Sequence, residues 1–315
     1  MCRMGFAAIA AVMAVETMAA KVDGTFIQPL TSDQKYSDVL KWLGQKPAAE
    51  GGSLTFANQT AGCVKTLTLD TVGLTLGGID FGSGSFNVTS NALTLAGDGV
   101  LRSTGSTGPF VNSEVVFADG ATMTKRGKGK MSFKKLRGNG KLVIAEGTVV
   151  SQDGEHFLGG CDLEIRTGHV SWYQPTASGD VDLSSGNLTF GPDRAQIVVT
   201  KGDVTSYKAT FASLNRSSEG GFLELRLGNN ISALGESEKI LVKDRASDGA
   251  YVDASVVSRG QGNIGDTLRF LRYDAEKGFV PAETAPFSEG QSADGKVAVI
   301  SEDTTVSANT SVSAL

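Results

Sequence analysis

Between Ser53 and Phe190, apolar and hydroxyl-bearing residues alternate in short bursts that share one spelling. The bursts are Ser53-Leu54-Thr55-Phe56, Leu67-Thr68-Leu69, Leu74-Thr75-Leu76, Leu93-Thr94-Leu95 and Leu188-Thr189-Phe190. Each sends every second side chain to one face, which is the period of a β-strand. Gly, Ser, Asn and Asp fill the gaps, so short strands joined by tight turns are predicted. Leu54, Leu74 and Leu93 stand 20 and 19 residues apart, and Val115 follows 22 later. Leu142, Leu163 and Leu188 continue at intervals of 27, 21 and 25. A recurrence near 20 predicts an all-β, right-handed parallel β-helix, one coil per repeat, with inward Leu, Val and Phe stacked into a continuous core. The alternative is an antiparallel β-sandwich of hairpins, for which Asp98-Gly99, Asp119-Gly120 and Asp153-Gly154 are the turn signals.

The flanks break this pattern. Thr31 to Pro47 predicts a short helix: Ser32 as N-cap, then Tyr36, Val39, Leu40 and Leu43 on one face, with Gly44 and Pro47 closing it. Such a helix is expected to cover the open end of the stack, where strand edges otherwise meet water. Past Gly191 the strands Ile197-Val198-Val199, Leu223-Glu224-Leu225, Ile240-Leu241-Val242 and Leu268-Arg269-Phe270 are joined by longer, more charged connections. The expected organisation is an export signal over 1–20, a capping segment with the helix over 21–50, and solenoid repeats over 51–195. An irregular β region or β cap follows over 196–290, then a flexible Ser/Thr-rich tail over 291–315. The signal reading rests on Arg3, the apolar run Met4 to Val15 and the small residues at Thr17-Met18-Ala19-Ala20. That run is shorter than the roughly 20 residues a membrane-spanning helix needs.

One stretch carries a family likeness. Met123-Thr124-Lys125-Arg126-Gly127-Lys128-Gly129-Lys130-Met131-Ser132-Phe133 resembles the autotransporter-associated β-strand repeat, with its apolar-Thr-Lys start, two glycines two apart and an alternating strand. Gly140-Lys141-Leu142-Val143-Ile144-Ala145-Glu146-Gly147-Thr148-Val149-Val150 resembles the second half of that repeat. Together these cover about a tenth of the chain. More loosely, Phe270-Leu271-Arg272-Tyr273-Asp274 and Gly278-Phe279-Val280-Pro281 are similar to segments that follow such repeats in large surface proteins. The resemblance implies a parallel β-helix on an exported, surface-displayed protein, with no enzymatic role in the repeat itself. The membrane barrel of autotransporters has no counterpart here, so a fragment, a released chain or another route of anchoring at the outer membrane is expected.

Composition narrows the chemistry. The chain has 315 residues, 40 glycines, seven prolines and a formal net charge of −5. The mild charge gives no argument for nucleic acid. Two histidines, His156 and His169, and three cysteines, with Cys63 and Cys161 beyond the signal, leave little for Cys/His metal sites. Gly260-Gln261-Gly262-Asn263-Ile264-Gly265 spells a dinucleotide fingerprint, but a strand follows where a helix is required, so no cofactor is expected.

Two sets of side chains remain as candidate sites. Asp162 and Glu164 flank Leu163 on one strand, Asp180 and Asp182 repeat the arrangement, and Arg166, His169, Trp172 and Tyr173 follow nearby in sequence. This set suits polysaccharide binding or hydrolysis on a β-helix, against the reading of ordinary exposed carboxylates. Lys125, Arg126, Lys128, Lys130, Lys134, Lys135 and Arg137 form a basic run suited to an anionic polysaccharide or lipid head group, against the reading of a solvated outer face. The expected function is a non-enzymatic, adhesive surface scaffold meeting surface polysaccharide or a host surface. The alternative is a polysaccharide-degrading or polysaccharide-binding β-helix working through the acidic face near 162–182.

Overall fold

The computed structural model describes residues 21–27, 33–45, 47–57, 66–85, 87–90, 92–152, 157–173, 180–200, 205–217, 220–228, 234–248, 253–259, 268–286 and 297–299. The signal segment, Cys63, His156, the Gly260–Gly265 stretch and the tail from Ser301 lie outside the described residues.

Two long sheets carry the fold. The first has nine strands, all parallel: Gly24–Phe26, Ser53–Phe56, Gly78–Asp80, Asp98–Arg102, Thr122–Arg126, Lys141–Ile144, Asp162–Ile165, Leu188–Phe190 and Leu214–Arg216. The second runs from Gln34–Lys35 through Thr66–Leu69, Asn87–Ser90, Phe110–Phe117, Lys130–Gly138, Thr148–Ser151, Gly168–Tyr173, Arg194–Thr200 and Phe222–Leu227 to Asp253–Arg259, parallel at each of these steps. A third sheet of three parallel strands, Asp180–Ser185, Ser206–Phe211 and Glu238–Val242, joins it in the later coils. Parallel partners cannot be joined by two-residue hairpins, so the antiparallel sandwich is excluded and the arrangement is that of a β-solenoid. Asp98 and Gly99, read above as a possible hairpin turn, lie inside a strand.

The alternation works as predicted: in Thr66–Leu69 the leucines are buried and the threonines half-buried. The coil step does not follow the recurrence of the word. Leu54 pairs with Ile79 and then Leu101 in the first sheet, whereas Leu93 pairs with Val115 in the second. Both sheets use the same word, so the interval of 20 from Leu54 to Leu74 joins two columns and is no coil step. Leu142, Leu163 and Leu188 do form one column. The parallel run of the second sheet also continues past 195, and only at Leu268–Asp274 and Gly278–Pro281 does it turn antiparallel. Those two strands close the far end, with Tyr273 and Phe279 packed edge to face and the Arg245 guanidinium above both rings.

The predicted N-terminal helix does not form. Gln34–Lys35 is a strand paired with Leu67–Thr68, followed by two 3-10 turns, Val39–Lys41 and Leu43–Gln45, kinked at Gly44 with φ 66°. The cause is which side chains the core takes. Tyr36 and Trp42, six residues apart, are both buried, while Leu40 and Leu43 are 69% and 63% exposed. A helix would place Tyr36 and Trp42 on different faces. Trp42 meets Phe26 and Tyr36 edge to face, its indole N–H donates to the Tyr36 carbonyl at 2.9 Å, and the Tyr36 hydroxyl donates to the Ala48 carbonyl. Phe26, Phe56 and Phe81 continue the aromatic column inward, the last two stacked with centroids 5.5 Å apart. Changing Leu40 and Leu43 together to Glu is therefore expected to move stability by less than about 0.5 kcal/mol per site. A urea titration showing a loss of several kcal/mol would restore the buried helix.

Candidate functional site

The first sheet carries Asp162 and Glu164. Glu164 is 9% exposed, and its carboxylate receives the Lys141 ammonium and, at 2.5 Å, the Arg166 guanidinium. Burial alone raises its pKa; hydrogen bonds and charge from Lys141 and Arg166 outweigh that and hold it below the usual carboxylate range. Asp162 accepts from the Asn187 backbone and side-chain N–H groups at 2.7 and 3.1 Å. Both carboxylates thus tie neighbouring coils together, as do Asp80 with Arg102 and Glu114 with Arg137. Asp180 and Asp182 fall on the third sheet, away from the strand of Asp162 and Glu164. Trp172 pairs in register with Ser151 and Val199 on the second sheet, and Tyr173 with Thr200. Their side chains, like those of Asp180 and Asp182, lie outside the described residues.

The basic run divides as well. Lys125 is fully buried in the first sheet, in register with Leu101 on one side and Ile144 on the other. Its ammonium donates to the carbonyls of Arg126 at 2.9 Å, Gly127 at 2.6 Å and Glu146 at 3.3 Å. Burial lowers its pKa to about 8, with the Glu146 carboxylate pulling the other way. Arg126 and Lys134 are exposed, Lys135 half-buried, and Arg137 is held by Glu114. Lys128, in the bend before the strand Lys130–Gly138, and Lys130, its first residue, line one furrow.

They meet His169 in a furrow of ≈ 650 Å³ on the outer face of the second sheet, lined also by Ser106, Thr148, Val150, Gln152 and Ser171. Its axis is a register column: Lys130 beside Thr148, Thr148 beside His169, His169 beside Gln196 and Gln196 beside Glu224. The Thr148 hydroxyl lies 3.0 Å from His169 Nε2 and 3.3 Å from Nδ1. Burial, then the charges of Arg194 and Arg226, push the His169 pKa below its ordinary value, so the ring is neutral at pH 7. Beyond His169 the column is closed by buried Glu224, which accepts from the Gln196 amide at 2.7 Å and pairs with Arg194 at 2.7 Å and Arg259 at 3.5 Å.

The furrow joins residues that the sequence placed in two separate sites. It adds Ser106, Thr148, Gln152 and Ser171, which sequence reasoning missed. Their signal was the coil step: Lys130, Thr148 and His169 stand 18 and 21 residues apart, each one coil from the next. Among the described residues no group of three or more His, Cys, Asp or Glu is placed to hold a metal ion, and no helix is long and apolar enough to cross a membrane. Cys161 is a free, buried thiol whose Sγ lies 3.4 Å from the Gly138 carbonyl, and burial pushes its pKa up to about 12. No protein-family model, curated protein or solved structure matches the chain.

Proposed function

We propose that this chain is an exported, non-enzymatic surface scaffold of the passenger type, built to hold an extended β-solenoid and present its outer faces. The observation that supports this reading is how the carboxylates are used. Glu164, Asp162, Asp80 and Glu114 bond to residues one coil away, and a carboxylate fixed between two cations is poorly placed to accept a substrate proton. In the acidic region of the alternative carbohydrate-active reading, Asp162 and Glu164 lie on the first sheet and Asp180 and Asp182 on the third.

Two measurements test the reading. Expression of the full sequence in a secreting bacterial host, followed by fractionation, should place the protein outside the inner membrane; recovery from the cytoplasm alone would overturn it. Glu164→Gln should lower stability by about 1 kcal/mol, because its partners are half exposed. Its contribution is present above the unfolded carboxyl pKa and fades as pH falls through the depressed folded value, so the variant should lose part of the acid limb of the stability curve. Release of reducing or unsaturated sugar ends by the unmutated protein, abolished in Glu164→Gln, would replace the scaffold by an enzyme.

A further inference from the structure

We infer that the furrow between Lys128 and His169 is a binding site for an acidic saccharide, a carboxylated or sulfated oligosaccharide laid across successive coils. This deepens the scaffold reading by naming what the surface holds. Export is read by fractionation and binding by calorimetry on purified protein, so either can fail without the other.

Four features of the furrow select the ligand. The first is charge: among the described residues Lys128 and Lys130 are its only charged lining groups, and both are cations. Neither is matched by a carboxylate in the ion pairs of the described residues. The charges of Arg194 and Arg226 also act on His169 at the floor, with Arg194 itself paired to Glu224 at 2.7 Å.

The second is hydrogen bonding. The hydroxyls of Ser106, Thr148 and Ser171, the Gln152 amide and the neutral His169 ring supply both donors and acceptors. A hydroxyl-rich ligand can use both, whereas a bare inorganic anion uses only donors.

The third is the missing platform. Among the described residues the one apolar lining residue is Val150, and no Phe, Tyr or Trp ring lines the furrow. Neutral sugars and single-stranded nucleic acids both depend on stacking for much of their affinity.

The fourth is shape. The ≈ 650 Å³ of space falls in the range of small-molecule sites and far exceeds a single oxyanion. Its floor steps from Lys130 to Thr148 to His169 by one strand spacing at a time, about 4.8 Å each. A linear chain of sugar units lying across the strands meets a fresh polar group at every step.

The test is isothermal titration of the full chain at low salt with four probes of known structure: a heparin tetrasaccharide, a tetragalacturonate, a neutral cellotetraose and sodium sulfate. Binding of at least one acidic tetrasaccharide, weakened by added salt, is expected, with no measurable heat from cellotetraose. Lys128→Gln with Lys130→Gln should weaken that binding at least tenfold. Lys134→Gln with Lys135→Gln removes the same charge from the strand Lys130–Gly138 outside the furrow and should stay within twofold of the parent. His169→Ala should weaken binding further in the context of the lysine pair. No binding of either acidic tetrasaccharide, equal loss in both lysine pairs, or sulfate binding as tightly as the tetrasaccharides would each overturn the assignment.

Discussion

Replacing Lys125 by methionine is expected to lower the stability of the solenoid by about 1–2 kcal/mol, although methionine suits the surrounding aliphatic column and removes a charge from the core. The ammonium nets the carbonyls of Arg126, Gly127 and Glu146 at a corner between the two long sheets. The Arg126 carbonyl also accepts from the Ser103 backbone N–H at 3.2 Å, so the variant chiefly strips Gly127 and Glu146. A fully buried carbonyl left without a donor costs about 1–3 kcal/mol, and the cost is smaller at half-buried Gly127 and exposed Glu146. Part of that is offset because no charge need be buried. The loss should be local: amide exchange should accelerate in the corner spanning 126–130 and 145–148 before the far coils respond, as expected when each coil touches only its neighbours.

The pH dependence of this difference has a definite sign. Lys125 titrates near 8 in the folded chain against an ordinary 10.5, so between those values the unfolded state binds more protons and stability rises with pH. The parent should therefore gain about 1 kcal/mol over Lys125→Met between pH 7 and pH 9. Cys161 and Tyr36, whose pKa values burial raises, act in the opposite direction but occur in both proteins and cancel in the difference. A gap between parent and variant that stays constant from pH 7 to pH 9 would show that the buried amine stays charged throughout.

Lys125 also shows where the sequence is legible and where it is not. Read as a member of a basic run, it belongs to the surface. Read by strand parity, it shares a face with Met123, two residues earlier and fully buried, and alternation alone points it inward. The charge outweighed the period because burial of a lysine is rare unless partners exist, and its partners are backbone carbonyls that no residue letter announces. The same limit applies to the N-terminal segment. Tyr36, Leu40 and Leu43 have helical spacing, but the aromatic column around Phe26 takes Tyr36 and Trp42 instead. Strand character in 53–190 was readable, since it depends on neighbouring residues. The coil step and the furrow depend on which distant strands pair, and identical words in two sheets concealed that pairing.

Gly99→Ala is expected to cost at least about 3 kcal/mol, the larger side of what overpacking a core brings, for the addition of a single methyl group. Gly99 lies within a strand and has no left-handed φ, so conformation is not the obstacle. A Cβ there would fall 1.6 Å from the Gly77 carbonyl oxygen and 3.0 Å from Met123 Sδ. The same contact recurs along the stack: a Cβ on Gly77 would meet the Gly51 carbonyl at 2.2 Å, and one on Gly52 the Val22 carbonyl at 2.0 Å. Backbone of one coil rests on backbone of the next, and accommodating a methyl requires the coils to part by more than 1 Å against hydrogen bonds such as Gly77 N–H to the Gly52 carbonyl at 2.9 Å. Gly120→Ala is the control. That glycine has φ 71° and open space around its Cα, so only backbone strain applies, about 1 kcal/mol. Urea midpoints that fall equally for the two variants would mean that the coils tolerate side chains at their corners. A loss several times larger at Gly99 would show that part of the glycine content serves close stacking of coils as well as turning the chain.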